Sequence, residues 1–192
     1  RDPMYFPLTE GARWEYDVEV VRSGGAPRTL KATRIVRGEK EVDGKRYVKF
    51  VTETSGAGMR VPDQFYRASE QGIYAAVQGA EGKELLLLPR HPEDGHTWHG
   101  EAQPAITKLS GEVALGETFA YEALRFSDCV RVSLSMTIME RSFFGGEKEV
   151  PVRFVRWFAP GTGMVRELRI VAEEGDSGYL RMDSKLTGFH IP

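Results

Sequence analysis

A chain of 192 residues, 41% apolar and 28% charged, is long enough to bury a substantial core without disulfides or a metal as staples. Its 26 basic and 28 acidic side chains nearly cancel and lie scattered along the chain, which argues against the basic stripe that tracks a nucleic acid. The longest aliphatic run, Leu85 to Leu88 before Pro89, falls far short of the roughly 20 residues of a membrane-spanning helix, and the single cysteine excludes an internal disulfide or a cysteine zinc site.

Two-residue alternation begins at Trp14. In RWEYDVEV, Trp14, Tyr16, Val18 and Val20 fall on one face and Glu15, Asp17 and Glu19 on the other, the pattern of a strand with one wet side. After the SGGAP turn at 23–27, EVDGKRYV carries Asp43-Gly44 between alternating segments, the strongest short hairpin signal, and YVKFVTE continues the pattern from Tyr47. The stretch 61–79 reads as a helix or as two strands around Glu70-Gln71-Gly72. Phe65, Tyr66, Ile73 and Tyr74 favour strands and Gly72 would interrupt a helix, so the hairpin is predicted.

Further turns are expected at GAEG (79–82), FGGE (144–147) and EEGDSG (173–178). CVRVSLSMTIM places Val130, Val132, Leu134, Met136 and Ile138 inward, with Cys129 as a small buried thiol at its start. In WFAPGTGMVREL, Trp157 and Phe158 end one strand, Ala159-Pro160-Gly161 interrupts the ladder, and Gly163 admits the strand from Met164. No composition break or fixed-period repeat divides the chain, so residues 1–192 are expected to form one domain, all-β with at most minor helix, built on an antiparallel sheet.

The densest group of potential metal ligands is RHPEDGHTWHG, where His91, Glu93, Asp94, His96 and His99 lie within nine residues. His91 and His96 flank a Pro-Glu-Asp-Gly turn, and alternation from Gly95 sets His96 and Trp98 on one face and His99 on the other. The three imidazoles therefore do not converge. His91 and His96 remain weak metal candidates beside their assignment as solvated turn residues, and no cofactor is predicted. No Gly-x-Ser-x-Gly elbow is present, the glycines of SGAGM lack the context of a phosphate loop, and the carboxylates fall on outward strand positions. No catalytic residue is assigned.

Three segments carry a resemblance: YFPLTEGARWEY (5–16), LLLLPRHPEDGHTWHG (85–100) and VRWFAPGTGMVREL (155–168). Together they resemble a group of mostly uncharacterised bacterial exported and lipoprotein-type β domains, and ALGETFAYEALRFSDCVRV (114–132) is similar to the segment between the last two. The resemblance implies a periplasmic or envelope location, a signal or lipid-anchor peptide removed before Arg1, and a strongly curved sheet. That half-barrel or open barrel would be similar to the periplasmic lipoprotein-carrier proteins, but without clear helices to plug its concave side.

Aromatic side chains recur in these segments, and large rings on a strand face pave either a core or an apolar groove. Trp14, Tyr16, Trp98, Phe154 and Trp157 are the candidate ligand-lining residues. The leading expectation is a non-enzymatic envelope protein binding a lipid, another apolar molecule or a partner protein in its concavity. The alternatives are a structural subunit of an envelope complex that accepts a strand at a sheet edge, and a hydrolytic enzyme whose loops bring His91 or His96 to a carboxylate.

Overall fold

The structure is a computed structural model that describes residues 4–55, 61–77, 83–100, 106–141, 146–172 and 178–192. Twelve strands follow one another: β1 (Arg13–Arg22), β2 (Arg28–Val42), β3 (Lys45–Thr54), β4 (Gln64–Ala68), β5 (Gly72–Ala76), β6 (Glu84–Pro89), β7 (Thr97–His99), β8 (Ile106–Tyr121), β9 (Leu124–Arg141), β10 (Glu147–Ala159), β11 (Gly163–Ala172) and β12 (Tyr179–His190). Among the described residues there is no helix. All twelve belong to one antiparallel sheet in the order β6-β5-β4-β3-β2-β1-β12-β11-β10-β9-β8-β7. The chain thus enters and leaves at the middle of the sheet, where β1 pairs with β12. The segment 90–96 leads from one edge, β6, to the other, β7. These two edges do not pair, so the sheet is open.

The turn chemistry explains most of this order. Asp43 and Gly44 both have positive φ, 50° and 72°, as the two-residue turn between β2 and β3 requires. Residues 64–68 and 72–76 form the hairpin expected from their aromatic and β-branched content. The long β8–β9 hairpin turns at Glu122-Ala123, a pair with no glycine, asparagine or proline, and so gives no local signal in the sequence. Glu122 takes the positive φ of 50° itself. The expected turn at 79–82, residues 144–145 of the turn at 144–147 and residues 173–177 of that at 173–178 lie outside the described residues.

Alternation decides which side chains are buried. Trp14, Tyr16 and Val18 of β1, and Val130, Val132, Leu134 and Met136 of β9, all face the core. Cys129 is a fully buried free thiol. Asp17, on the other side of β1, pairs across the strands with Lys31 and accepts the Tyr121 hydroxyl at 3.1 Å. That face also carries Asp183, only 2% exposed, which accepts both forks of Arg166 at 3.0 and 2.9 Å.

The segment before β1 closes one end of the interior. Phe6 sits 5.5 Å from Phe50, 5.1 Å from Tyr66 and 5.8 Å from Phe158, and Trp14 stacks on Phe50 at 5.7 Å. The turn between β10 and β11 receives this segment: the Gly161 N–H donates to the Met4 carbonyl at 2.8 Å, and the Trp14 indole N–H donates to the Thr162 carbonyl at 2.6 Å. Gly163 has φ +101°, and a Cβ there would lie 3.2 Å from both Pro7 and Trp14. Residues 157–168 therefore act as a corner that fixes the N-terminal aromatic cluster.

Candidate functional site

Beyond the aromatic cluster the inward face bounds a cavity of about 530 Å³. Leu85 and Leu87 of β6, Leu134 and Met136 of β9, and Val152 and Phe154 of β10 line it. The volume is within the roughly 300–1,000 Å³ typical of small-molecule sites. Arg156 and Arg169 also line it, and Arg169 extends into an adjoining pocket of about 100 Å³ with Tyr16, Arg34, Thr52, Gln64 and Glu167.

The register dictates this composition. On β10, Val152, Phe154, Arg156 and Phe158 share one parity; across the ladder Val152 faces Val171, Phe154 faces Arg169 and Arg156 faces Glu167. Cross-strand partners project to the same side of the sheet, so two arginines and a glutamate stand on core-facing positions.

Their electrostatics are uneven. Arg156 Nε donates to Glu167 at 2.5 Å, and Arg34 donates to the Gln64 side-chain carbonyl at 2.8 Å. Burial alone would raise the Glu167 carboxyl, but Arg156, Arg34 and Arg169 outweigh it and hold its pKa at about 2. Arg169 has no such partner. Its Nε is buried without a hydrogen bond among the described residues, and its guanidinium lies 4.7 Å from the Phe154 ring centroid, with Arg156 4.8 Å from the same ring. Burial pushes the Arg169 pKa below its ordinary value; Glu167 opposes that shift and Arg156 adds to it. The charged side chains lining the two spaces are thus three guanidiniums and one carboxylate.

The candidate residues named from the sequence are distributed as follows. Phe154 lines the large cavity and Tyr16 the adjoining pocket, where the Tyr16 hydroxyl donates to the Met164 carbonyl at 2.8 Å and burial raises its pKa. Trp14 is 3% exposed and belongs to the aromatic cluster. Trp98 lies on the short edge strand β7 and covers Gly111, where a Cβ would come within 2.1 Å of the indole. Trp157 projects to the opposite face from Phe154, donates to Glu117 at 2.7 Å and carries Arg166 on its ring. Tyr16 and Phe154 are thus brought beside the arginines, and Trp98 and Trp157 are not. The arginines and Glu167 escape a sequence reading that assigns charges to the wet face; the available signal was the shared parity of Arg156 with Phe154 and Phe158.

His91 and His96 occupy the exposed connection between β6 and β7, with His96 stacked on Trp98 at 6.0 Å. Among the described residues no three His, Cys, Asp or Glu side chains are grouped to hold a metal ion. A second space, about 790 Å³, is a broad groove open to solvent. Ser110, Ser135, Pro151, Arg153, Ile170 and Tyr179 line it from the outward side of β8 to β12. It is more widely open to solvent than the inward-facing cavity, which is the space where Arg156 and Arg169 stand beside apolar side chains.

No family model matches the sequence, and no curated protein matches it. Among solved structures, the chain is similar to a protein described as exported, with a YmcC-like fold, from Bacteroides fragilis NCTC 9343. The TM-score is 0.50 at 14% identity, over 98% of this chain and 100% of that one. A protein described as a lipoprotein, from Parabacteroides distasonis ATCC 8503, gives a TM-score of 0.47 at 11% identity over 99% and 100%. The first similarity shows a shared all-β fold over nearly the whole chain.

Proposed function

We propose that the chain, acting as one domain, is a non-enzymatic protein of the bacterial periplasm or envelope that holds an apolar or lipid-like molecule inside a sheet curved as a half-barrel. The cavity of about 530 Å³, walled by leucine, methionine, valine and phenylalanine, is the observation that carries this reading. Burying a ligand there gains roughly 25 cal/mol per Å² of apolar surface removed from water.

Connectivity supports the curvature. In a flat twelve-stranded sheet the edges would stand about 53 Å apart, from eleven spacings of ~4.8 Å. Yet residues 90–96 join β6 to β7, and from Pro89 to Thr97 an extended chain reaches at most about 29 Å. Leu87 of β6 and Leu134 of β9, near opposite ends of the strand order, also line one cavity. The envelope location draws on the exported description of the Bacteroides fragilis structure.

The test is uptake of a neutral fluorescent apolar probe, N-phenyl-1-naphthylamine, by delipidated protein. Saturable one-to-one binding is expected, together with its loss in Ala75→Phe, which places a ring inside the cavity lining. Absence of saturable uptake by a folded wild-type protein would overturn the reading.

A further inference from the structure

We propose that the cavity selects single-chain amphiphiles with an oxyanion head, a carboxylate or a phosphate monoester, and that Arg169 is the head-group ligand. This inference rests on the apolar-ligand reading above and specifies the chemistry of the molecule that fits.

Three observations converge. First, Arg169 lines both the apolar cavity and the smaller polar pocket, so it stands at their junction. A ligand with its tail among the leucines and valines would present its head there. Second, the other guanidiniums are engaged: Arg156 by Glu167 at 2.5 Å and Arg34 by Gln64 at 2.8 Å. Arg169 lies on the face of Phe154 and feels the Glu167 carboxylate, but its Nε is buried without a hydrogen-bond partner among the described residues. A guanidinium stays protonated at all physiological pH, so this charge is not removed by titration. Third, Thr52 Oγ1, which lines the same small pocket, is also buried without a partner.

One carboxylate shared among three guanidiniums leaves the buried Arg169 Nε–H unbonded, which is costly, and an oxyanion supplies what is missing: opposite charge and two acceptors that match the planar fork. A neutral head group supplies neither. The excess of three guanidiniums over one carboxylate around the two spaces favours an anion and disfavours a cation.

The experiment compares hexadecanoate, hexadecyl phosphate and hexadecanol, each below its aggregation concentration, binding to the delipidated full chain in competition with N-phenyl-1-naphthylamine. At least one charged amphiphile is expected to bind tenfold or more tightly than hexadecanol, and the ratio of the two charged ligands distinguishes carboxylate from phosphate. Arg169→Gln should bring the charged ligands to within about twofold of hexadecanol. Arg169→Lys, which keeps the charge but not the fork, should retain part of the preference and serves if the glutamine variant does not fold. Equal affinity for all three ligands in wild type, or a preference that survives Arg169→Gln, would overturn the head-group assignment and leave the apolar cavity standing. Failure of the neutral probe and all three ligands to bind would overturn the cavity reading itself.

Discussion

Two glycines of one turn, separated only by Thr162, give the sharpest test of the corner. Gly161 has φ +69° and nothing within 4 Å of where a Cβ would sit, whereas Gly163 has φ +101° and would set a Cβ 3.2 Å from Pro7 and Trp14. For Gly161→Ala only the left-handed backbone counts, about 1–2 kcal/mol, offset by roughly 0.4–1 kcal/mol from a less flexible unfolded chain. For Gly163→Ala the backbone lies further from the left-handed well, a strain of order 1–3 kcal/mol. Trp14 cannot move aside freely, because it is stacked on Phe50 and bonded to the Thr162 carbonyl. Displacing it costs a further ~1–3 kcal/mol for the unpaired buried groups. With the same unfolded-chain offset applied to both, the expected loss is about 1–5.6 kcal/mol at residue 163 against about 0–1.6 kcal/mol at residue 161. Urea denaturation followed by tryptophan fluorescence measures both, and the Trp14 indole N–H resonance reports the bond. Equal destabilisation by the two variants, or an unmoved indole resonance in Gly163→Ala, would refute the reasoning.

Three further predictions concern the buried carboxylates and the N-terminal ring cluster. The carboxyls of Glu167 and Glu84 both lie at about 2 in the folded state, where burial is outweighed by Arg156, Arg34 and Arg169 for Glu167, and by Arg67, Lys45 and Tyr47 for Glu84. A depressed folded pKa stabilises above the ordinary carboxyl value and the gain disappears as pH falls, so stability should decline between about pH 4.5 and 2. In Glu167→Gln the protein should lose about 3–5 kcal/mol at neutral pH, because Arg156 is left unpaired, and should show a shallower acid decline; chemical denaturation across pH measures both. Phe6→Ala removes the ring that packs on Phe50, Tyr66 and Phe158 and should cost about 3–5 kcal/mol, read as a lowered Tm by calorimetry; a change below about 1 kcal/mol would show that the N-terminal segment does not hold this end of the interior.

Sequence by itself determined the strand character and the facing of most residues. Alternation from Trp14 and from Val130 predicts the buried face because successive side chains point to opposite sides of a strand. Asp43-Gly44 predicts its hairpin because few other pairs tolerate two positive φ angles. The geometry of Gly163 was likewise legible, since a strand cannot pass through Ala-Pro-Gly unbroken. These are local properties, written within a few residues of one another.

Pairing across the chain is not local, and only the tertiary structure decided it. That β1 lies against β12, and that β6 and β7 form opposite edges, depends on contacts between residues far apart in sequence. Arg156, Glu167 and Arg169 illustrate the consequence. Each looks like an ordinary surface charge, and a carboxylate and two guanidiniums become a buried cluster only because the β10–β11 register sets them side by side on the inward face. Trp157 shows the converse: an aromatic ring in a conspicuous segment is turned outward to Glu117 because its parity is opposite to that of Phe154. The period of the strands thus fixes which residues share a face, while register and strand order choose their partners and set Arg169 against Phe154, with its Nε unbonded among the described residues.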